Sequence, residues 1–231
     1  MARDSKAEQV YTALREEILT GELRPGTSLS VLKMADRFGA SRTPVRDAFL
    51  RLESDGLVSL IDRQGARVSP ISIRGVRDLF EIRTMLESDA TRRVAAAAEQ
   101  DEKIGELFAG LRAEFEAIAG QDDTPARRDR FYELTEAYDQ AVIATTRNQH
   151  LSRIIAELRP HSARLRIIAH SPRRLEESLS EHLAMCDAIL AHDPGAAASA
   201  CIEHLAKTQR TVLDAILDPD SSGATADIVS P

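Results

Sequence analysis

The sequence predicts a mainly helical protein: a small N-terminal helical head carrying one β-hairpin, followed by an all-helical body of about six helices. Three observations carry this. The 231 residues include no Trp and few aromatics, with Ala, Leu, Arg and Glu abundant, a composition that favours helices. Apolar residues recur three and four apart along most of the chain. A single stretch, Leu57 to Val68, reads instead as two short β runs around a polar turn with Gly.

Length and charge bound the function. A chain of this size holds one large or two modest domains. Its longest obvious apolar run, Val94 to Ala98, is far too short to cross a bilayer. The polar N-terminus lacks a signal-peptide core, and Cys186 and Cys201 are too few for a disulfide framework, so a cytoplasmic protein is expected. The net charge of −7 argues against a wholly nucleic-acid-coating protein. Residues 1–70 carry 11 Lys and Arg against 10 Asp and Glu, whereas the remainder carries 19 against 27. A near-neutral head with clustered arginines on an acidic body suits a protein whose head alone meets a polyanion.

In order, residues 1–6 read as a loose arm. Val10, Leu14, Ile18 and Leu19 then predict an amphipathic helix ending near Gly21, and Arg24-Pro25-Gly26-Thr27 predicts a turn. Ser30 is the expected cap of a second helix with Val31, Met34, Ala35 and Phe38 inward and Gly39 as its stop. A third helix is expected from Thr43 as N-cap and Pro44 at its first position, with Val45, Ala48, Phe49 and Leu52 on one apolar face. Arg42 and Arg46 stand at its entrance and Arg51 further along, all away from that face. Helix, tight Gly turn and helix make a helix-turn-helix, and the hairpin that follows, with Arg63 at its tip and then Arg67, makes a wing. Such a helix suits a DNA major groove, where Arg bonds guanine and phosphate.

These residues resemble the GntR superfamily of bacterial winged-helix transcription regulators. The resemblance lies in Leu23-Arg24-Pro25-Gly26, in the run from Ala35 to Ala48, and in Leu52-Glu53-Ser54-Asp55-Gly56-Leu57-Val58, and covers about residues 7–70. It implies DNA contacts from Ser41, Arg42, Thr43 and Arg46 on the helix and from Arg63, Gln64 and Gly65 on the wing. One departure is Leu32, where some relatives carry a DNA-contacting Arg.

The body, residues 71–217, shows helical spacing throughout. Val76, Leu79, Phe80, Ile82, Met85 and Leu86 mark a long helix, and Ile104, Leu107, Phe108, Leu111, Phe115 and Ile118 mark the next. Phe131, Leu134, Tyr138, Ala141 and Val142 mark a third. Leu151, Ile154, Ile155 and Leu158 mark a fourth, in which Pro160 is expected to introduce a kink. Leu175–Leu190 and Ala196–Leu217 close the body as a helical hairpin around His192-Asp193-Pro194-Gly195. The Ser-, Ala- and Asp-rich residues 218–231 read as a disordered tail.

His182 lies 11 residues before Asp193 and His204 lies 11 after it, which puts the two imidazoles at one level of that hairpin. They can share a divalent metal or be ordinary half-buried histidines. Cys186 and Cys201, one turn from each histidine, can complete a zinc site or simply pack as small core residues.

The body also resembles the helical ligand-sensing (FCD) domain of the FadR branch of the superfamily, through Arg83-Thr84-Met85-Leu86-Glu87, Asn148 with Leu151, Glu181-His182-Leu183 and His204-Leu205. That resemblance implies effector contacts from Arg83, Thr135, Tyr138 and Asn148. It also implies a metal of the zinc or nickel kind held by an Asp, a His four residues later and two further His. Here Thr135 and Asp139 occupy the first two positions, and His182 and His204 the last two. Two outcomes stay open: Asp139, His182 and His204 hold the metal, or a metal-free pocket binds an organic anion through its histidines and Arg83.

The expected function is a homodimeric DNA-binding transcription regulator that acts as a repressor and responds to a small carboxylate effector, with duplex operator DNA as its partner and no membrane. It is not expected to be an enzyme. The competing expectation is a metal-dependent enzyme with a two-His-one-carboxylate centre, disfavoured by the absence of a nucleophile–base pair or a phosphate-cradling loop and by the head it leaves unexplained. A third is a helical interaction module whose head contacts protein.

Overall fold

A computed structural model describes residues 5–62, 65–168 and 171–217. The expectations for Arg63, Gln64, the first four residues of the arm and the 218–231 tail lie outside the described residues. By contact these residues form two units: 5–76 with 159–168 and 212–217, and 77–158 with 171–211.

In the first unit, α1 (Lys6–Leu19) begins within the expected arm because the Ser5 hydroxyl caps it, accepting from the Glu8 N–H at 3.2 Å. After the turn come β1 (Ser28–Ser30) and α2 (Val31–Arg37), whose N-cap is Ser30 as the sequence indicates. At Gly39 the backbone enters the left-handed region at φ +54°, and Ala40 N–H reaches back to Ala35 O at 2.9 Å, closing the tight turn.

The reading helix, α3 (Arg42–Ser54), starts one residue before the expected cap: Ser41 is the N-cap and Thr43 lies inside the first turn. Pro44 tolerates this because the first N–H groups of a helix have no intrahelical acceptor, so a missing donor there costs nothing.

The wing strands are β2 (Val58–Ile61) and β3 (Gly65–Val68), and β1 pairs antiparallel with β3 to give a three-stranded sheet in the order β1-β3-β2. The hairpin was expected; β1 was not, since three residues are too few to show alternation. Val10, Leu14, Ile18, Leu29, Val45, Phe49, Leu52 and Val68 form one continuous core under helices and sheet. At the end of the sheet, the buried Arg164 guanidinium donates to the Ser69 carbonyl, and burial pulls its pKa down to about 10.

Six further helices follow among the described residues: α4 (Ile73–Ala98), α5 (Glu102–Ile118), α6 (Pro125–Thr145), α7 (Gln149–Ile168), α8 (Pro172–Leu190) and α9 (Pro194–Leu217). Three start with the cap-then-proline arrangement expected of α3. Thr124 caps α6, Ser171 caps α8 and Asp193 caps α9, each accepting from the N–H three residues on, with Pro125, Pro172 and Pro194 next in line. Pro160 lies inside α7 without ending it. The second unit buries Phe108 and Phe115 of α5, Phe131, Leu134 and Tyr138 of α6, and Leu179, Met185 and Ile189 of α8. Met85, Leu107 and Ile154, expected on apolar faces, are instead exposed.

Candidate functional site

The head buries one face of α3 almost completely, with Val45, Ala48 and Leu52 at 0% exposure and Phe49 at 1%. The opposite face presents Ser41, Arg42, Thr43 and Arg46, all exposed. Arg42 and Arg46 are one helical turn apart and point the same way. Among the described residues neither guanidinium has a hydrogen-bond or ion-pair partner.

Two other arginines of the head, Arg51 and Arg37, are committed internally. Arg51 lies 3.8 Å from the centroid of the Tyr11 ring and bonds Glu8 at 2.5 and 3.3 Å. Arg37 bonds Glu17 at 2.9 and 2.5 Å. Tyr11 in turn donates to Asp55 at 2.6 Å, which fixes α1 on α3.

On the wing, Gly65 sits at φ +133°, where a Cβ would collide with the Leu29 carbonyl oxygen. The glycine is required by the close approach of β1 and can offer DNA only its backbone.

The centre of the second unit is a ring-lined histidine. His182 is 3% exposed and surrounded by Phe115, Phe131, Tyr138 and His204, with ring centroids at 5.0, 6.2, 5.4 and 4.7 Å. Its Nδ1 lies 2.7 Å from the Ser178 carbonyl. A carbonyl only accepts, so Nδ1 carries the proton and Nε2 keeps the lone pair. Burial, reinforced by neighbouring His204, pulls its pKa down to about 3 and keeps the ring neutral.

Glu181, next along α8, organises the polar side of this centre. Its carboxylate accepts from Arg174 at 2.8 and 2.7 Å and from His204 Nδ1 at 2.7 Å, and Thr208 shares the same guanidinium at 2.8 Å. Burial alone would raise the carboxyl, but the bonds from His204 and Arg174 outweigh it and hold Glu181 down at about 2. Sequence reasoning passed over Glu181 as part of a matching run. The available signal was its spacing from Arg174, seven residues and two turns away on the same face of α8.

Of the expected metal ligands the structure brings His182 and His204 together, but it does not join Asp139 to them. Among the described residues no group of three His, Cys, Asp or Glu side chains is arranged to hold a metal ion. The physical reason lies in the neighbours: Asp139 acts electrostatically on Arg83, Tyr138 and Cys201, while His204 is drawn to Glu181. Two imidazoles with anchored Nδ1 atoms fit a metal; the donor set as a whole does not. The cysteine alternative fits no better. Burial pushes both thiols up to about 12, so Cys186 and Cys201 stay protonated core residues.

The expected effector residues are partly spent. Arg83 bonds Glu87 at 2.7 and 3.1 Å; burial would lower its pKa, but Glu87 holds it above the ordinary value. The Thr135 hydroxyl donates to the Tyr132 carbonyl at 3.0 Å. Asn148 uses its side-chain oxygen to cap α7, accepting from His150 and Leu151 N–H groups at 3.1 Å each. Tyr138 differs. It is 3% exposed, and its hydroxyl oxygen has no hydrogen-bond partner among the described residues. Burial first, then Cys186, Cys201 and Asp139, raise its pKa well above the ordinary value.

Comparison with known proteins agrees with both halves. Residues 6–68 match the family model for bacterial regulatory proteins of the gntR family, and residues 78–207 match the FCD domain. The HTH-type transcriptional repressor RspR of Escherichia coli (strain K12) is 30% identical over 208 residues, covering 89% of this chain and 88% of its own. The HTH-type transcriptional regulator YdhC of Bacillus subtilis (strain 168) is 29% identical over 176 residues, 75% of this chain and 76% of its own. Among solved structures, E. coli McbR/YncC superposes with a TM-score of 0.67 at 24% identity, over 92% of this chain and 99% of that one, a likeness of fold.

These matches are to transcription regulators rather than enzymes, which sets aside the metal-dependent enzyme. Among the described residues no helix is long and apolar enough to cross a membrane. A winged head with an FCD body, matched across both parts, places this chain in the GntR family of bacterial transcription regulators, in the branch that carries an FCD domain.

Proposed function

We propose that the chain acts in the cytoplasm as a homodimeric repressor. Residues 1–70 hold a near-palindromic operator, residues 71–217 pair the two copies, and a small organic acid bound in that body changes how well the operator is held. The observation that carries the reading is the exposed pair Arg42 and Arg46 on α3, left without an internal partner among the described residues. In this reading Ser41, Arg42, Thr43 and Arg46 enter the major groove, Arg46 bonding a base edge, while Arg63, Gln64 and the Gly65 backbone follow from the wing. A two-fold operator calls for a two-fold protein. Repression is supported by the name of the RspR relative.

For the effector, the Tyr138 hydroxyl, unpartnered among the described residues, is the first anchor, with Thr135 and Asn148 on the same side of the reading. Arg83 can take the acid's carboxylate only by sharing its guanidinium with Glu87. Regulation is then a population shift: the acid binds one arrangement of the heads better than the other. The experiment is selection of bound duplexes from a random pool by the full-length protein. Titration of the selected duplex with a panel of small carboxylic acids follows, and the reading expects one of them to change the affinity.

A second reading rests on the 4.7 Å approach of His182 and His204. It requires Asp139, which is not joined to the two histidines among the described residues, to come in as third ligand of a zinc- or nickel-like ion. Metal analysis of the purified protein decides between them: about one equivalent, lost in Asp139→Ala, favours the metal, and none favours the metal-free pocket.

A further inference from the structure

The outer face of the small sheet carries a feature that neither α3 nor the wing tip accounts for. Arg67 in β3 pairs in register with Ser28 of β1 on one side and with Ser59 of β2 on the other. Residues directly opposite on neighbouring strands project to the same face with Cβ atoms about 5 Å apart, so the three form one rung, serine, arginine, serine. All three are exposed, and among the described residues none of their side chains has a hydrogen-bond or ion-pair partner. The alternating positions Leu29, Ala66, Val58 and Val68 point the other way into the core. The rung is therefore held on a packed sheet, not on a loose loop. Two residues along β3 is Gly65, where the backbone of Leu29 and Ser30 packs so closely that it holds β1, and Ser28 with it, against β3.

We infer that this rung is a phosphodiester-binding site: Arg67 neutralises one backbone phosphate of duplex DNA, and the Ser28 and Ser59 hydroxyls donate to phosphate oxygens beside it. The chemistry favours this occupant over a protein carboxylate. A single guanidinium flanked by neutral donors matches a row of closely spaced, acceptor-rich anions, and Ser and Arg are habitual phosphate ligands. The rung fixes register and supplies affinity without reading sequence, a role complementary to that of Arg46. It rests on the reading of the head as a DNA-binding unit.

The test is a salt titration. Full-length protein is titrated by fluorescence anisotropy onto a random-sequence duplex and onto the duplex it selects from a random pool, at several salt concentrations. Removing one cation that neutralises a phosphate flattens the slope of log affinity against log salt by about 0.9. Arg67→Ala is expected to flatten it by about that amount per head on both duplexes, with a uniform drop in affinity, and Arg67→Lys to keep the wild-type slope. Ser28→Ala with Ser59→Ala is expected to weaken binding at an unchanged slope, because neutral donors displace no counterion. A folded Arg67→Ala protein with the wild-type slope overturns the rung while leaving the DNA-binding head intact. A double serine variant that binds as tightly as wild type removes the serines from it. A wild-type protein that binds neither duplex overturns the head reading and the rung together.

Discussion

Arginines do opposite jobs in the two parts of this molecule. In the second unit Arg83, Arg127 and Arg174 are almost covered, and each is bonded to a carboxylate: Glu87, Glu176 and Glu181. In the first, Arg42, Arg46 and Arg67 are exposed and have no internal partner among the described residues. The difference follows from solvation. A guanidinium taken out of water must find a counter-charge or destabilise the fold, whereas one left in water costs folding nothing and keeps its donors for an outside anion. Arg51 shows that position in the chain does not decide the matter. It lies on the same helix as Arg46, yet it is stacked on Tyr11 and bonded to Glu8. Paired arginines belong to stability and unpaired ones to recognition, and variants can break that division.

The largest effect is expected at Glu181→Ala, which strands Arg174 in the interior; a loss of about 3–5 kcal/mol is expected for a buried pair broken on one side, read by urea unfolding. Acid should act in the same direction. Glu181 is held near 2 against an ordinary 4.5, and His182 near 3 against 6.5. For Glu181 the depressed folded value means stabilisation that is complete above about 4.5 and is lost as pH falls toward 2. His182 is buried neutral, so below about 6.5 the unfolded chain gains a proton that the folded chain refuses, and stability falls there too. A urea midpoint that rises between pH 6.5 and 4.5 contradicts this.

Next, Gly65→Ala forces strain and a clash with Leu29 onto the wing and should destabilise by about 1–3 kcal/mol, read by thermal unfolding. Arg46→Ala should cost about 1–3 kcal/mol of specific DNA binding with an unchanged urea midpoint; a shift in stability with no weakening of binding reverses the division proposed for it. Smallest is Tyr11→Phe, which removes the bond to Asp55 and should cost about 0.5–1.5 kcal/mol of stability while leaving DNA affinity as it was.

The legibility of the sequence follows the range of the forces involved. Helices with an apolar face, such as α5, were readable because local spacing decides them, whereas Thr124 and Ser171 were legible only as part of a break and a turn and not as N-caps. The start of α3 was misplaced by the cap-then-proline rule, since Thr43-Pro44 reads like Ser171-Pro172 although the first turn can hold a proline anywhere it needs no donor. β1 was not legible, because its three residues are strands only through their pairing with β3. In the site, the meeting of His182 and His204 could be read from equal distances to the Asp193 turn. The failure of Asp139 to join them could not. It depends on what Glu181, Arg83 and Cys201 do on three other turns of helix, and none of those relations is written in the spacing of the ligands themselves.

The central claim is that the unpaired arginines of α3 read duplex DNA. The most direct measurement is competition between a duplex selected from a random pool and random-sequence DNA for the full-length protein at moderate ionic strength, with Arg46→Ala alongside. The account predicts a preference on the order of 10³-fold or more for the wild type and a marked reduction of it in the variant. Equal binding of both duplexes by the wild type, or an undiminished preference in Arg46→Ala, would contradict it.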